Sequence, residues 1–376
     1  MRVVPEKGPY PFFSPLLRSL IVAALLAAPA AAVAQVTPAT GSTPPDDTPS
    51  IKVGAVIYTD YTYTQNPQTL DADGNLVNPS AFNVTRSYIN ITGNISHLVA
   101  FRITPDASRE TNAASSLNGS LEFRIKYAFA QVNFDEWMTP GSWARIGIQQ
   151  TPWLDFAEGI YRYRFQGTLF AEREGYFASA DAGASFHYNL PSNYGDVHVG
   201  VFNGENYNKA EVNDQKGLQV RGTVRPFAPG MTVLRGIRAS LFYTGDHYVK
   251  NAERKRFIGS VAFEHKYLNA GLEYLDAKDQ TSIIKPDVEG KGYSIWATPK
   301  SPIGWEALLR YDHLKPNTAL ASQVRNRTIL GVAYWFPHQG SVSSALLVDY
   351  DGQTFDSFAP ALPKQQKIAV HALINF

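Results

Sequence analysis

The chain has 376 residues, with 34 basic and 33 acidic side chains, 20 Tyr, 21 Phe and no Cys. A net charge of +1 says nothing about a cargo and gives no reading of a nucleic-acid partner. Without cysteine the fold holds with no disulfide staple, and beyond the first 34 residues no run of eighteen apolar residues suggests a membrane helix.

In chain order, Arg2, Lys7 and Arg18 precede an apolar stretch over 20–34 that closes on Ala32-Val33-Ala34, before Gln35. This pattern predicts a secretory signal peptide over 1–34, cleaved near Ala34. The rival reading, a single membrane anchor, needs a longer run than this Ala-rich one, which is interrupted by Pro29. Residues 35–50 read as a flexible Pro/Thr/Ser/Asp leader with nothing to bury. Residues 51–376 read as one domain without internal repeats beyond a hairpin period.

Turn signals divide that domain into about sixteen alternating segments. They are 51–64, 82–96, 98–104, 120–134, 142–149, 176–190, 194–203, 216–227, 232–248, 253–266, 267–276, 289–298, 303–313, 324–336, 341–351 and 364–376. Connections from odd to even segments are mostly long and those from even to odd are short, the asymmetry of an outer-membrane barrel. The connection at 249–252 is short for an external loop, so fourteen or eighteen strands stay open. In the last segment Ile368, Val370, Ala372, Ile374 and Phe376 share one face, while Lys367, His371 and Asn375 share the other. A chain stopping on such an aromatic resembles bacterial outer-membrane barrels, whose final Phe serves as an insertion address. The expected fold class is all-β: an antiparallel transmembrane barrel with long external loops and an in-folded constriction loop. A soluble β-sandwich is the alternative, but it would not need an apolar outer face on every strand.

With the apolar parity toward lipid, Leu121, Phe123, Ile125, Tyr127 and Phe129 point out, and Glu122, Arg124 and Lys126 point in. The same reading turns Arg86, Arg102, Arg145, Arg221, Arg225 and Arg238 inward as a basic, anion-conducting wall. Fewer acids share that parity, leaving an inward basic excess of roughly half a dozen. The alternative is that these Arg residues pair with lumenal acids and brace the wall, since a charge on the lipid face costs roughly 2–4 kcal/mol.

The connection over 150–175 is the longest and carries an apolar set that wants burial: Trp153, Leu154, Phe156, Ile160, Phe165, Leu169 and Phe170. It is expected to fold into the barrel and narrow the pore, rather than sit outside as a lid. Arg162 and Arg164 alternate with Tyr161 and Tyr163, which would aim both guanidinia one way. Asp155 and Glu158 would line the opposite side or pair with wall Arg residues. A constriction charged with both signs makes a transverse field.

The segments Ser87-Tyr88-Ile89-Asn90-Ile91-Thr92-Gly93-Asn94-Ile95-Ser96 and Phe101-Arg102-Ile103-Thr104-Pro105-Asp106 carry a resemblance. So do Arg124-Ile125-Lys126-Tyr127-Ala128-Phe129 and Gly147-Ile148-Gln149-Gln150-Thr151-Pro152-Trp153. The chain resembles the phosphate-selective porin O and P family of bacterial outer-membrane porins, most distinctively in its first half. The resemblance implies a sixteen-stranded homotrimer whose inward Arg and Lys residues conduct anions, with Arg102, Arg124 and Lys126 at basic positions. No motif transfers the family's phosphate-binding residues one by one.

Enzyme motifs are missing: there is no G-x-S-x-G, H-E-x-x-H or phosphate-gripping glycine loop. Ser185 and His187 share one lumenal face, a faint hydrolase signal. Asp71-Ala72-Asp73-Gly74-Asn75 echoes a calcium loop but lacks its closing carboxylate and reads as a turn. No cofactor or metal is expected, and the partners read from the chain are small anionic solutes and outer-membrane lipid. Three functions follow. The first is a passive anion porin, with phosphate as one solute. The second is a wider pore for organic acids or sugars, with Tyr161 and Tyr163 as greasy contacts. The third is a barrel enzyme or a closed structural barrel.

Overall fold

Alternation of β-branched or aromatic residues with polar ones folds every predicted segment into a strand of 8 to 17 residues. The computed structural model describes residues 47–376 except 228–232, 321, 339 and 341. The expected signal peptide, and the expected leader up to residue 46, lie outside the described residues. The barrel strands are β1 (Ser50–Asn66), β2 (Ser80–Asn94), β3 (Val99–Arg109), β4 (Leu121–Asn133), β5 (Trp143–Gln150) and β6 (Ala180–Asn189). Next come β7 (Gly195–Phe202), β8 (Gly217–Val224), β9 (Ile237–Val249), β10 (Ala252–His265) and β11 (Leu268–Asp279). The last are β12 (Val288–Pro299), β13 (Trp305–Lys315), β14 (Val324–Phe336), β15 (Ser343–Asp356) and β16 (Gln365–Asn375).

Each strand pairs antiparallel with the next, and β1 also pairs with β16, from Val56–Asn375 to Asn66–Gln366. Closure leaves no unpaired edge. The short connection between β9 and β10 is a two-residue hairpin, Lys250-Asn251, with Asn251 at φ 65°. That settles the strand number at sixteen. The calcium-like segment is a turn. It caps a small hairpin, Thr69–Leu70 with Leu76–Val77, and Asp71 Oδ1 accepts from the backbone N–H groups of Asp73 and Asn75.

The outer face is apolar. Val53, Phe82, Phe123, Ile146, Leu241 and Val348 are more than half exposed, an arrangement that water would punish and hydrocarbon would not. Outward aromatics cluster at two levels. Tyr293 and Tyr311 meet at 6.2 Å on the half of the wall nearer the long connections. Trp305 and Tyr334 meet at 5.1 Å near the short turns, with Phe336 beside them.

One departure from the predicted parity matters for the interior. Thr104 pairs with Tyr127, but the next residue, Pro105, pairs with Ile125, so Lys126 is an extra residue in β4. Pro105 has no N–H to give the ladder, and a bulge is where a strand tolerates that. The bulge reverses the alternation. Leu121, Phe123 and Ile125 face lipid as expected, whereas Tyr127 and Phe129 turn inward and are buried. Lys126 stays inside. The bulge also lets β3 run past its expected end at Thr104 to Arg109, which places Asp106 in the lumen.

At the short-turn end, Asp47 clasps the turn between β2 and β3. Its Oδ1 accepts from the His97 backbone N–H and lies 2.5 Å from His97 Nδ1, while His97 Nε2 lies 2.8 Å from Glu136. The bond with His97 holds Asp47 below its ordinary value, and the same bond holds His97 above 6.5. The raised His contributes fully below 6.5 and is lost as pH climbs through its higher folded value. The lowered Asp contributes above 3.8 and is lost as pH falls through its lower one. The clasp therefore holds best between these limits. Limited proteolysis near Asp47, normalised to a free peptide at each pH, should be slowest near pH 5–6 and faster at pH 9; a pH-independent rate ratio would refute the clasp.

Candidate functional site

The connection between β5 and β6 enters the barrel. It carries helix α1 (Pro152–Tyr161) and a single helical turn, α2 (Phe170–Arg173). Pro152 occupies the first turn of α1, where its missing N–H costs nothing. The apolar set behaves as its composition demands. Trp153, Leu154, Phe156, Ile160, Phe165, Leu169 and Phe170 are all buried, against inward residues such as Phe242, Leu275, Leu308 and Leu314.

Polar bonds fix the loop along its length. Arg221 on β8 donates to the Pro152 carbonyl at 2.8 Å, and Asn269 on β11 donates to the Ile160 carbonyl at 2.9 Å. Tyr163 donates to Glu306 at 2.9 Å and accepts from Trp335 at 3.2 Å. Gln166 donates to Asp349 on β15 at 2.8 Å, and Phe165 reaches the ring of Tyr58 on β1. Gly292 makes room for this packing: a Cβ there would meet the Phe170 ring at 2.7 Å. The loop thus lines the wall from β8 round to β1, and the space left faces β1 to β5.

The helix presents Asp155 and Glu158, three residues apart, on one face. Arg145 and Arg102 are the strongest cationic neighbours of Asp155. Arg164 is clamped within the loop, 2.8 Å from Glu158 and 3.0 Å from Glu172. Arg162 departs from the expected alternation. It closes α1 in the left-handed conformation, φ 64°, and its guanidinium turns to the wall, 3.6 Å from Glu306 and over the ring of Trp335. The two loop arginines therefore face different ways. Tyr161 and Tyr163, expected as solute contacts, are buried behind the loop with 1% and 0% exposure.

The wall opposite holds Arg86, Arg102, Arg124, Lys126 and Arg145 together on β2 to β5. Arg86 and Arg124 share one carboxylate, Asp106, at 2.8 and 3.4 Å. Lys126 donates to the Tyr88 hydroxyl at 3.0 Å and lies over the rings of Tyr88 and Tyr127. Arg102 donates to Asn90 at 2.7 Å and to Thr104 at 3.0 Å and covers Tyr127. Arg145 bonds the amides of Gln131 and Gln150 and stacks on Trp143 and Phe129. For Lys126 and Arg145 such partners leave the cation's charge in place, because rings, a hydroxyl and amides polarise toward it without cancelling it.

The remaining predicted residues sit elsewhere. Arg221 pairs with Asp196 beneath the start of α1. Arg238 pairs with Glu264 at 2.5 Å near the short-turn end. Arg225 follows the last pair of the β8–β9 ladder, Val224–Ala239, and so lies beside Arg238. Arg221 and Arg238 thus carry carboxylate partners, and none of the three stands on the β2–β5 wall. Four inward acids escaped the sequence reading: Asp106, Asp196, Asp246 and Asp279, bonded to Arg86, Arg221, Arg254 and Arg256. They shrink the inward basic excess expected from parity. Asp196 and Asp246 lie on predicted strands at inward positions, so parity alone would have found them.

The faint hydrolase pair does not form: Ser185 donates to Gln149 at 2.6 Å, while the ring nitrogens of His187 face the Gly141 carbonyl and Asp196.

No family model matches the chain, and no curated protein matches it either. Among solved structures, an anion-selective porin from Comamonas acidovorans is similar with a TM-score of 0.58 at 13% identity, over 88% of this chain and 100% of that one. OmpT of Vibrio cholerae gives 0.58 at 10% identity, over 88% and 98%. The outer membrane channel DcaP of Acinetobacter baumannii gives 0.56 at 12% identity, over 87% and 97%. At these identities the likeness is one of fold: the chain has the barrel fold of outer-membrane porins.

Proposed function

We propose that this chain is an outer-membrane porin through which small anions, phosphate among them, diffuse passively. The observation that carries the reading is a division of labour among lumenal cations. Most are matched to carboxylates, as are Arg221, Arg238, Arg310 and Arg327. At the constriction, Lys126 and Arg145 are held by a hydroxyl, amides and aromatic rings. Asp155 and Glu158 on the loop lie within electrostatic reach of them, so a polar solute passing between the loop and this wall would meet a transverse field that draws an anion to the β2–β5 side. Arg102 and Lys126 stand within the segments that resemble the phosphate-selective family. The likeness to an anion-selective porin of Comamonas acidovorans agrees with this reading. A homotrimer is part of the proposal, and a trimer form of OmpT from Vibrio cholerae shares the fold.

A general pore for organic acids or sugars is the second reading, supported by the aromatic lining of Tyr58, Tyr88, Tyr127 and Tyr207. Reversal potential in a planar bilayer under a potassium chloride gradient separates the two, followed by phosphate titration of the chloride current. The anion reading expects a potential of anion-selective sign and block by phosphate. A cation-selective or unselective pore would sink it and favour the general pore.

A further inference from the structure

At the end bearing the long connections, the loop's return meets β14, β15 and the connection between β15 and β16. A cavity of about 270 Å³ opens there, away from the β2–β5 wall. Register builds one side of it: Arg325 pairs with Phe355, Arg327 with Gln353, and Gln353 with Gln365. Arg173, at the end of α2, closes the inner side, and Leu362 and Pro363 form the outer one.

Cations outnumber acids here. Arg325 lies 3.2 Å from Glu174, and Arg327 lies 2.9 Å from Asp351. Arg173 and Lys367 reach the same Asp351 at 3.7 Å each. Four cations thus share two carboxylates, both almost fully buried. Guanidinium N–H groups are left over: Arg325 Nε, Arg327 Nε and Arg173 Nη1 are buried and find no hydrogen-bond acceptor among the described residues. Buried donors of this kind are costly unless something accepts from them.

A minority of the lining is apolar, three residues gathered on one side: Phe355, Leu362 and Pro363. A small inorganic oxyanion would satisfy the guanidinia and leave that surface wet. We propose that this cavity is a separate binding site in the mouth for an organic carboxylate, whose carboxylate accepts from the arginine cluster while its hydrocarbon or aromatic body covers Phe355 and Leu362. Planar, bidentate recognition of a carboxylate suits guanidinium. The site is separate from the β2–β5 wall: Arg173 and Glu174 come from the loop's return, and its other residues from β14, β15, β16 and the connection between β15 and β16.

The test is equilibrium binding of benzoate to the detergent-solubilised full chain by isothermal titration, with inorganic phosphate as the second probe. Benzoate is expected to saturate at one site per barrel, with phosphate at least tenfold weaker there. Arg325→Gln should weaken benzoate about tenfold, and Leu362→Ser about fivefold, while Arg102→Gln leaves it unchanged. Leu362 is an exposed loop residue, so that variant carries the test even where Arg325→Gln fails to assemble. No benzoate binding would overturn the proposal. So would binding lost in Arg102→Gln but kept in Arg325→Gln, or Leu362→Ser without effect on benzoate.

Discussion

Trp153→Ala is expected to unseat the first turn of α1 and raise single-channel conductance. The indole is 1% exposed, packs against the rings of Phe156 and Phe242, and stands beside Pro152, whose carbonyl is bonded by Arg221. Removing a buried Trp typically costs about 3–5 kcal/mol. Here that loss falls on the loop, because the strand ladder closes without it. Single-channel recording checks the first half of the claim, and retention of folded-barrel mobility in unheated gels checks the second. Unchanged conductance in a folded barrel would mean that the loop is held by its polar bonds alone, or that the constriction lies elsewhere.

The second large effect is expected from Lys126→Glu, which should invert ion preference. Lys126 is 3% exposed, on the β4 wall within electrostatic reach of Glu158 on the loop. At an effective dielectric near 20, a charge about 6 Å from a permeating ion contributes about 3 kcal/mol, and salt screening trims this to about 1. Exchanging +1 for −1 doubles the change, so the anion-to-cation permeability ratio should fall by about tenfold or more. Lys126→Gln should give about half of that on a logarithmic scale. A reversal potential indifferent to both variants would show that the permeation path avoids β4.

The strands were legible because every barrel wall here separates lipid from a polar interior, and that separation is written residue by residue in alternation. The short β9–β10 connection, the weakest step in counting, is still a hairpin because Asn251 accepts the left-handed turn. The loop's inward course was legible from its buried aromatics, which have no other place to go. The bulge at Lys126 was not. Nothing in Lys126-Tyr127-Ala128-Phe129 distinguishes an unbroken strand from one that gains a residue, since both readings keep aromatic residues on one parity. The cause sits on the neighbouring strand, at Pro105, which as a sequence signal spoke for a turn. Ending β3 there hid Asp106, and with it the partner of both Arg86 and Arg124. Charge pairing was harder to read than strand number because it depends on which residues stand at equal height on adjacent strands. Arg162 was misread for a local reason: one left-handed residue at the end of α1 breaks the alternation with Arg164.

The seam between β1 and β16 has a consequence for how the molecule is made. It joins residues three hundred or more positions apart, and its ladder ends with Ala55 and Phe376 exchanging both backbone hydrogen bonds at 3.0 Å. Every other barrel strand pair joins sequence neighbours, the longest connection running over 151–179, so far less chain has to be closed. Loop-closure entropy therefore places the seam last in the order of assembly. Until it forms, β1 and β16 are open edges carrying Val53, Val56, Ile368, Val370 and Ile374, a pairing template for other chains. The interval before closure is the time in which this polypeptide is most prone to aggregate, and anything that shields those two strands through it acts as a chaperone for the barrel.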